Sequence, residues 1–163
     1  MHNSTYELMQ DFANQYHPPG GSVLEVGSRD ENGSYRPIFV GSPYVGIDWQ
    51  DGPGVDVVVE GWDWTDLNPR LFDTIISGQA LEHDGMFWLT LRNMAAALRP
   101  GGHMCIIVPG MFKVHRFPVD CYRFNPDAMY AFGAWMGLAV IEARAKPLDD
   151  TRSDTIGVFR NEN

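Results

Sequence analysis

The apolar residues of this chain fall into short runs closed by an acid or a glycine, a spacing that predicts strands joined by loops and a few helices. Ser22–Val26, Tyr44–Asp48, Val55–Val59, Phe72–Ser77 and His103–Val108 read as five strands, the third rich in β-branched residues. Leu138–Ala143 and Thr155–Phe159 are two more, with no helix between them, which permits an antiparallel pair. Helical periodicity is rarer. Ser4-Thr5-Tyr6-Glu7 matches a capping box, and Met9, Phe12 and Tyr16 follow at helical spacing until Pro18-Pro19. This first helix is either a cover over the sheet or a partial lid over a ligand. Phe87, Leu91, Met94 and Leu98 form one stripe, with Asp84 as its N-cap and Arg99-Pro100-Gly101-Gly102 as its stop. Asn125-Pro126 opens a third helix that ends near Gly137. Only a short helix around Tyr35–Phe39 fits before the second strand, and none fits after it. The pattern predicts an α/β fold: a Rossmann-like, mostly parallel seven-stranded sheet, helices on both faces, and a C-terminal antiparallel hairpin.

At 163 residues the chain fits one domain, 1–163, with an N-terminal helical segment 1–19 ahead of a core over 22–163. No apolar run approaches the ~20 residues of a membrane span, so no membrane association is expected. Met1-His2-Asn3-Ser4 lacks the basic and apolar regions of a signal peptide, which predicts a cytoplasmic protein. The formal charge of −9 comes from 21 acids against 12 bases with no Lys/Arg cluster, which argues against nucleic acid and for a small-molecule partner. Cys105 and Cys121 are the only cysteines and are expected to be free thiols. The five histidines are scattered without ligand spacing, so no metal is expected. Nothing in the pattern sets an oligomeric state.

The candidate chemistry begins at Val23-Leu24-Glu25-Val26-Gly27-Ser28, a buried strand turning into a polar loop that runs to Gly33. Glycine at 27 would let backbone N–H groups approach a ligand, and a helix opening after Gly33 would aim more of them the same way. Asp48 ends the second strand 21 residues beyond Gly27, where an acid grips a ribose hydroxyl pair. Trp62-Asp63-Trp64 lies just past the third strand. The connector from Pro109 to Phe124 carries Met111, Phe112, Phe117, Tyr122 and Phe124, too much apolar area to leave in water, and is expected to be ordered beside the site. Within it, Tyr122 and Arg123 serve either as a latch, through Arg123 and Asp120, or as substrate contacts.

These features together resemble a class I S-adenosylmethionine-dependent methyltransferase of the compact, type 11-like small-molecule kind. The resemblance rests on Val23–Gly27 with Gly33, on Tyr44–Asp48, on Phe72–His83 with its Leu81-Glu82-His83, and on Leu98-Arg99-Pro100-Gly101-Gly102 before a strand. It implies that Glu25 and Gly27 line the methionine end of the cofactor, with Ser28 and Gly33 in the same loop. It further implies that Asp48 accepts both ribose hydroxyls and that Trp49 lies beside the adenine. Asp63, with Trp62 or Trp64, would meet the adenine amino group, and Ser77, Gly78 and Gln79 would flank the sulfonium. The strand order would be 3-2-1-4-5-7-6. Three departures stand out: a long, charged loop over Arg29–Asn32, no helix after the second strand, and no Asn/Asp-Pro-Pro-Tyr/Phe near Ser77.

The implied activity is methyl transfer from S-adenosylmethionine to an oxygen or nitrogen of a small molecule, leaving S-adenosylhomocysteine and using no metal. His83 and His115 are the candidate bases by residue type, with Tyr122 a third catalytic candidate. For Glu82 and His83, at a strand-to-helix junction, local hydrogen bonding is favoured over catalysis. A catalytically silent cofactor- or partner-binding module is the alternative. A nicotinamide-dependent oxidoreductase fits less well, because the first loop lacks G-x-G-x-x-G spacing and the tail reads as a hairpin.

Overall fold

The computed structural model describes residues 3–59, 62–67 and 71–163. Met1 and His2, the start of the expected N-terminal segment, lie outside the described residues. Seven strands form one sheet, β1 (Val23–Val26), β2 (Tyr44–Asp48), β3 (Val57–Val58), β4 (Phe72–Gly78), β5 (Leu98–Met111), β6 (Ala139–Pro147) and β7 (Ser153–Arg160). Their order is 3-2-1-4-5-7-6, as the resemblance implies. β1 is central, Val23 pairing in parallel with Tyr44 on one side and Thr74 on the other. β7 runs antiparallel to both β5 and β6, so the expected hairpin closes one edge.

Helices lie on both faces because the strand residues alternate. Val23, Ile76, Cys105 and Ile107 face α1 (Asn3–Tyr16), which lays Leu8, Met9 and Phe12 on them. Leu24, Ile75, Met104 and Ile106 face the opposite way, toward Leu91 and Met94 of α2 (Phe87–Ala97) and Met129 and Phe132 of α3 (Pro126–Met136). Leu8 and Met9 are buried against the sheet, so α1 is a cover and no lid. No helix among the described residues is long and apolar enough to cross a membrane.

Several boundaries differ from the sequence reading, each for a local reason. β3 has only two residues, because the short 49–56 connection lets it reach only Ile47 and Asp48 of β2. The Arg99-Pro100-Gly101-Gly102 run follows the end of α2 at Ala97, in keeping with a helix stop, and also extends β5 toward its start. Gly101 N donates to the Asn161 carbonyl at 2.7 Å, and Asn161 Nδ2 donates to the Leu98 carbonyl at 2.9 Å. Asp84 sits ahead of α2, its carboxylate accepting the Met86 N–H at 2.8 Å and the Thr90 hydroxyl at 2.5 Å, while Met86 holds the N-cap position.

Candidate functional site

The strand ends of β1, β2 and β4 open into one cleft of about 740 Å³, within the range typical of small-molecule sites. Glu25, Gly27, Ser28, Gly33, Asp48 and Trp49 line one half of it. Gly78, Gln79, His83 and His115 line the other, together with Phe112, Arg116, Phe117, Pro118 and Val119 of the connector after β5. Ser77, Trp62, Asp63 and Tyr122 do not line it.

Glu25 is buried in β1, and Tyr44 donates its hydroxyl to Glu25 Oε2 at 2.7 Å. Burial pushes the Glu25 carboxyl up to about 7, against the opposing pull of the Tyr44 hydrogen bond and the Arg36 charge. Asp48 accepts the Arg29 N–H on Oδ2 at 3.2 Å and the Gln50 N–H on Oδ1 at 3.1 Å. One N–H per oxygen fixes the carboxylate and leaves each oxygen a further lone pair. Trp49 follows at once, 55% exposed, with its indole on the cleft wall.

The glycine loop is built differently from the expectation. Gly27 N and Ser28 N both donate to the Ile47 carbonyl, at 2.9 and 3.0 Å, so neither N–H is free for a ligand. Gly27 is required by its φ of +80° and by Ala80, whose Cβ lies 2.4 Å from where a Cβ at 27 would stand. No helix opens after Gly33. Its N–H donates to Asp30 Oδ1 at 2.6 Å, and the next helical turn is a 3₁₀ segment at Arg36–Phe39. The first turn of a helix supplies no anion cradle here.

Beyond β3, Asp63 turns inward on its own segment, accepting the Thr65 N–H at 3.0 Å and the Thr65 hydroxyl as the cap of a 3₁₀ turn. Trp62 is 56% exposed, and Trp64 is the residue of this segment that reaches both the core and the cleft. Ser77 is buried one position short of the cleft. Gln79 holds a left-handed φ of 57°, uncommon outside glycine, with its N–H on the Ile107 carbonyl at 2.8 Å and its amide on Asp154 Oδ1 of β7 at 2.9 Å.

The far half brings together three groups that no spacing in the sequence connects. His83 Nε2 lies 3.6 Å from Glu82 Oε1, and His115 Nε2 lies 3.9 Å from the same oxygen. Glu82 is fully buried on the 3₁₀ turn Leu81–His83, and neither of its oxygens has a hydrogen-bond partner in another residue. Burial raises its carboxyl to about 8. His83 donates Nδ1–H to the Val119 carbonyl at 2.6 Å, and its Nε2 is turned toward Glu82. Burial lowers the His115 pKa, although Asp120 pulls the other way, so its ring is neutral near pH 7. Sequence reasoning held Glu82 to be a local hydrogen-bonding residue. Its neighbour His83 was the only available signal, because burial of a polar residue leaves no trace in the periodicity.

The connector is an ordered wall, as its apolar content predicts, though Met111 and Phe117 stay about half exposed at 52% each. Arg123 holds it in place. NH2 donates to Asp120 Oδ2 at 2.6 Å and to the Lys113 carbonyl at 2.8 Å, NH1 to the Tyr122 carbonyl at 2.7 Å, and Nε to the Phe112 carbonyl at 3.2 Å. The Arg123 guanidinium holds the buried Asp120 carboxyl well below the usual carboxylate range. Tyr122 donates to the Gly85 carbonyl at 3.1 Å and packs its ring 5.0 Å from Phe87. Of the two roles open to this pair, the geometry is that of a latch. Tyr122 is turned from the cleft toward α2, which corrects its place among the catalytic candidates.

Sheet order, antiparallel β7 and a cleft at the strand ends define the class I S-adenosylmethionine-dependent methyltransferase fold. Solved structures share it. The 1,6-didemethyltoxoflavin-N1-methyltransferase of Burkholderia thailandensis, seen with S-adenosylhomocysteine, superposes with a TM-score of 0.75 at 14% identity, over 99% of this chain and 78% of that one. The N-methyltransferase NodS of Bradyrhizobium japonicum, also with S-adenosylhomocysteine, gives 0.65 at 15% identity, over 98% and 86%. The [4+2]-cyclase SpnF gives 0.74 at 12% identity, over 96% and 81%. At these identities the shared property is the fold. No family model matches the chain, and no curated protein matches it in sequence.

Proposed function

We propose that this chain transfers a methyl group from S-adenosylmethionine to an oxygen or nitrogen nucleophile of a small molecule. The observation that carries this reading is the division of one cleft between Asp48 and Glu25 on one side and His83 and His115, with Glu82 buried behind them, on the other. The residues present suit the cofactor. Asp48 has one lone pair free on each oxygen for a pair of hydroxyls, Trp49 offers a flat face to a purine, and buried Glu25 is the anionic group for an ammonium. Gly27, Ser28, Gly33, Gly78 and Gln79 shape the backbone between these ends. The bound cofactor supplies an electrophilic methyl on a sulfonium, so what the protein must add is placement and exclusion of water.

On the acceptor side, Phe112, Phe117 and Val119 close the cleft against water, while His83 and His115 face the space where a nucleophile would lose its proton. Neutral His115 can accept that proton.

A cofactor-binding module that transfers no methyl group is the second reading, favoured by one observation: the same fold occurs in a protein named as a cyclase, so it is not confined to proteins named as methyltransferases. Titration calorimetry with S-adenosylmethionine, S-adenosylhomocysteine and NADH tests the cofactor half. Binding of NADH and of neither adenosyl compound refutes it. Release of S-adenosylhomocysteine with a panel of hydroxyl and amine acceptors tests turnover, and binding without turnover on any of them supports the second reading.

A further inference from the structure

We propose that Glu82, His83 and His115 bind one divalent transition-metal ion on the acceptor side of the cleft. A carboxylate oxygen of Glu82, a nitrogen of His83 and a nitrogen of His115 all lie within 4.8 Å of one another. A tetrahedral ion with bonds of about 2.0–2.2 Å sets its ligand atoms about 3.4 Å apart. The observed 3.6 and 3.9 Å from the carboxylate to the two Nε2 atoms need to close by tenths of an ångström, and the edge between the two histidines, at most 4.8 Å, by up to about 1.4 Å.

The carboxylate is the strongest argument. Glu82 is fully buried, aimed between two imidazoles, and has no hydrogen bond from another residue. A buried polar group without partners costs free energy, and a buried anion costs more unless a cation faces it. The Arg123 guanidinium does not fill that place, because its donors go to Asp120 and to the Phe112, Lys113 and Tyr122 carbonyls. A metal ion among the three groups displaces the carboxyl proton and gives the two oxygens the partner they lack, together with its counter-charge.

The supporting shell is that of a metal-bound histidine pair. His83 already donates Nδ1–H to the Val119 carbonyl, which presents Nε2 as a donor atom. His115 Nδ1 lies 3.4 Å from both Asp120 Oδ2 and Arg123, so its tautomer follows whatever Nε2 binds. A metal on Nε2 places the proton on Nδ1, facing Asp120. Asp120 is itself fixed by Arg123 and by the His115 N–H at 2.6 Å, and Cys121 N bonds the Glu82 carbonyl at 2.7 Å, tying the wall to the turn. Two imidazoles and one carboxylate suit zinc, iron, cobalt or nickel better than magnesium or calcium, and three protein ligands leave coordination positions open to the cleft. With the ion on its Nε2, His115 is a ligand and no longer the proton acceptor; an open position beside the methyl donor would instead hold and acidify an acceptor oxygen, which narrows the acceptor to hydroxyl compounds with a second oxygen nearby. That last step rests on the methyl-transfer reading; the binding of the ion does not.

Cobalt(II) is the probe for the site, since its visible absorption reports coordination. Titration of the apo chain should show one ion per chain in a four- or five-coordinate spectrum, displaced by zinc(II) and untouched by excess magnesium(II). Glu82→Gln and His115→Ala should each weaken uptake by more than the ~10–100-fold that loss of a supporting hydrogen bond costs, and His103→Gln should not. Acetohydroxamate, a two-oxygen chelator, should shift the spectrum of the wild-type complex. No uptake, or uptake unchanged in both variants, overturns the site; an unshifted spectrum overturns the open position. Circular dichroism of each variant separates loss of a ligand from loss of the fold. S-adenosylmethionine titrated without metal fails only if the cofactor reading is wrong, so the two failures are distinct.

Discussion

Tyr44 donates its hydroxyl to Oε2 of Glu25 at 2.7 Å, and the bond opposes the burial that raises this carboxyl to about 7. Pairing with a cofactor ammonium requires the ionised form. S-adenosylmethionine affinity should therefore be flat above pH ~7 and fall up to tenfold per unit below it, with proton release on binding. Calorimetry in buffers of different ionisation enthalpy reads both. Tyr44→Phe removes the bond that favours the carboxylate, so the midpoint should move to higher pH; a midpoint that stays put would remove Glu25 from cofactor pairing.

The same carboxyl sets a stability slope. Its folded value, about 7, lies above the ordinary 4.5, so the folded state holds a proton that the unfolded chain has lost between those values. That contribution is complete below the ordinary value and is lost as pH rises through the folded one. Glu25→Gln should abolish the slope and make the cofactor-free protein more stable at pH 8 by on the order of 3 kcal/mol. Urea denaturation at several pH values measures it.

Asp48→Ala should weaken S-adenosylmethionine binding about ten- to a hundred-fold, the loss expected for a charge-assisted contact of about 1.5–3 kcal/mol. The melting temperature should barely change, since Asp48 receives only two long loop N–H bonds. A variant that binds as tightly as the parent excludes the ribose contact.

Arg123→Ala should destabilise the fold by about 3 kcal/mol, because it strips a buried carboxylate of its partner. Asp120 is held below its ordinary value, so its contribution is present at neutral pH and lost as pH falls. The variant should lose that acid-side dependence. Cofactor affinity should stay within a few-fold, and a thermal melt beside a cofactor titration shows the split.

Gly27→Ala should destabilise the fold rather than act on the ligand alone. The substitution meets Ala80 at 2.4 Å and forces a side chain onto φ +80°. Adding Ala80→Gly should restore the steric part and leave about 1–2 kcal/mol of backbone strain. A double-mutant cycle by denaturation separates the two parts, and a folded Gly27→Ala protein without cofactor affinity would return Gly27 to a ligand role.

How far the chain could be read from its residues depended on where each signal lay. β2 matches its reading residue for residue, because Asp48 closes an unbroken apolar run. β6 runs past Ala143 to Pro147 because Glu142, Arg144 and Lys146 put charges on an edge strand, which hides its length. β5 begins early for a different reason: Asn161 pairs with the Arg-Pro-Gly-Gly segment from the far end of the chain, a long-range bond that local turn chemistry does not register. The site divides in the same way. Glu25, Asp48 and Trp49 line the cleft because strand ends place them there, and strand ends are what the hydrophobic pattern marks. Glu82 and His115 meet only because the connector folds back over the turn at 81–83, so ligand spacing along the sequence had nothing to detect. Trp62 and Asp63 lie off the cleft lining, where Asp63 accepts the Thr65 N–H, a local turn contact that uses the same residue types as a ligand contact.

Two backbones interlock at the mouth of the cleft. The loop after β1 and the turn after β2 join through Asp30 N on the Pro53 carbonyl at 2.7 Å. A Cβ on Gly46 would lie 2.3 Å from the Gly54 carbonyl, and one on Gly54 would lie 2.6 Å from the Ser28 carbonyl. Where the sheet lacks a helix after β2, main chain clasps main chain. The rim on that side is thus indifferent to the identity of most side chains around it and intolerant of any at two points. A library randomised over 29–32 and 49–51 should retain folded members in abundance, whereas variation at 46 or 54 should retain almost none, making this rim a place to recut specificity without rebuilding the scaffold.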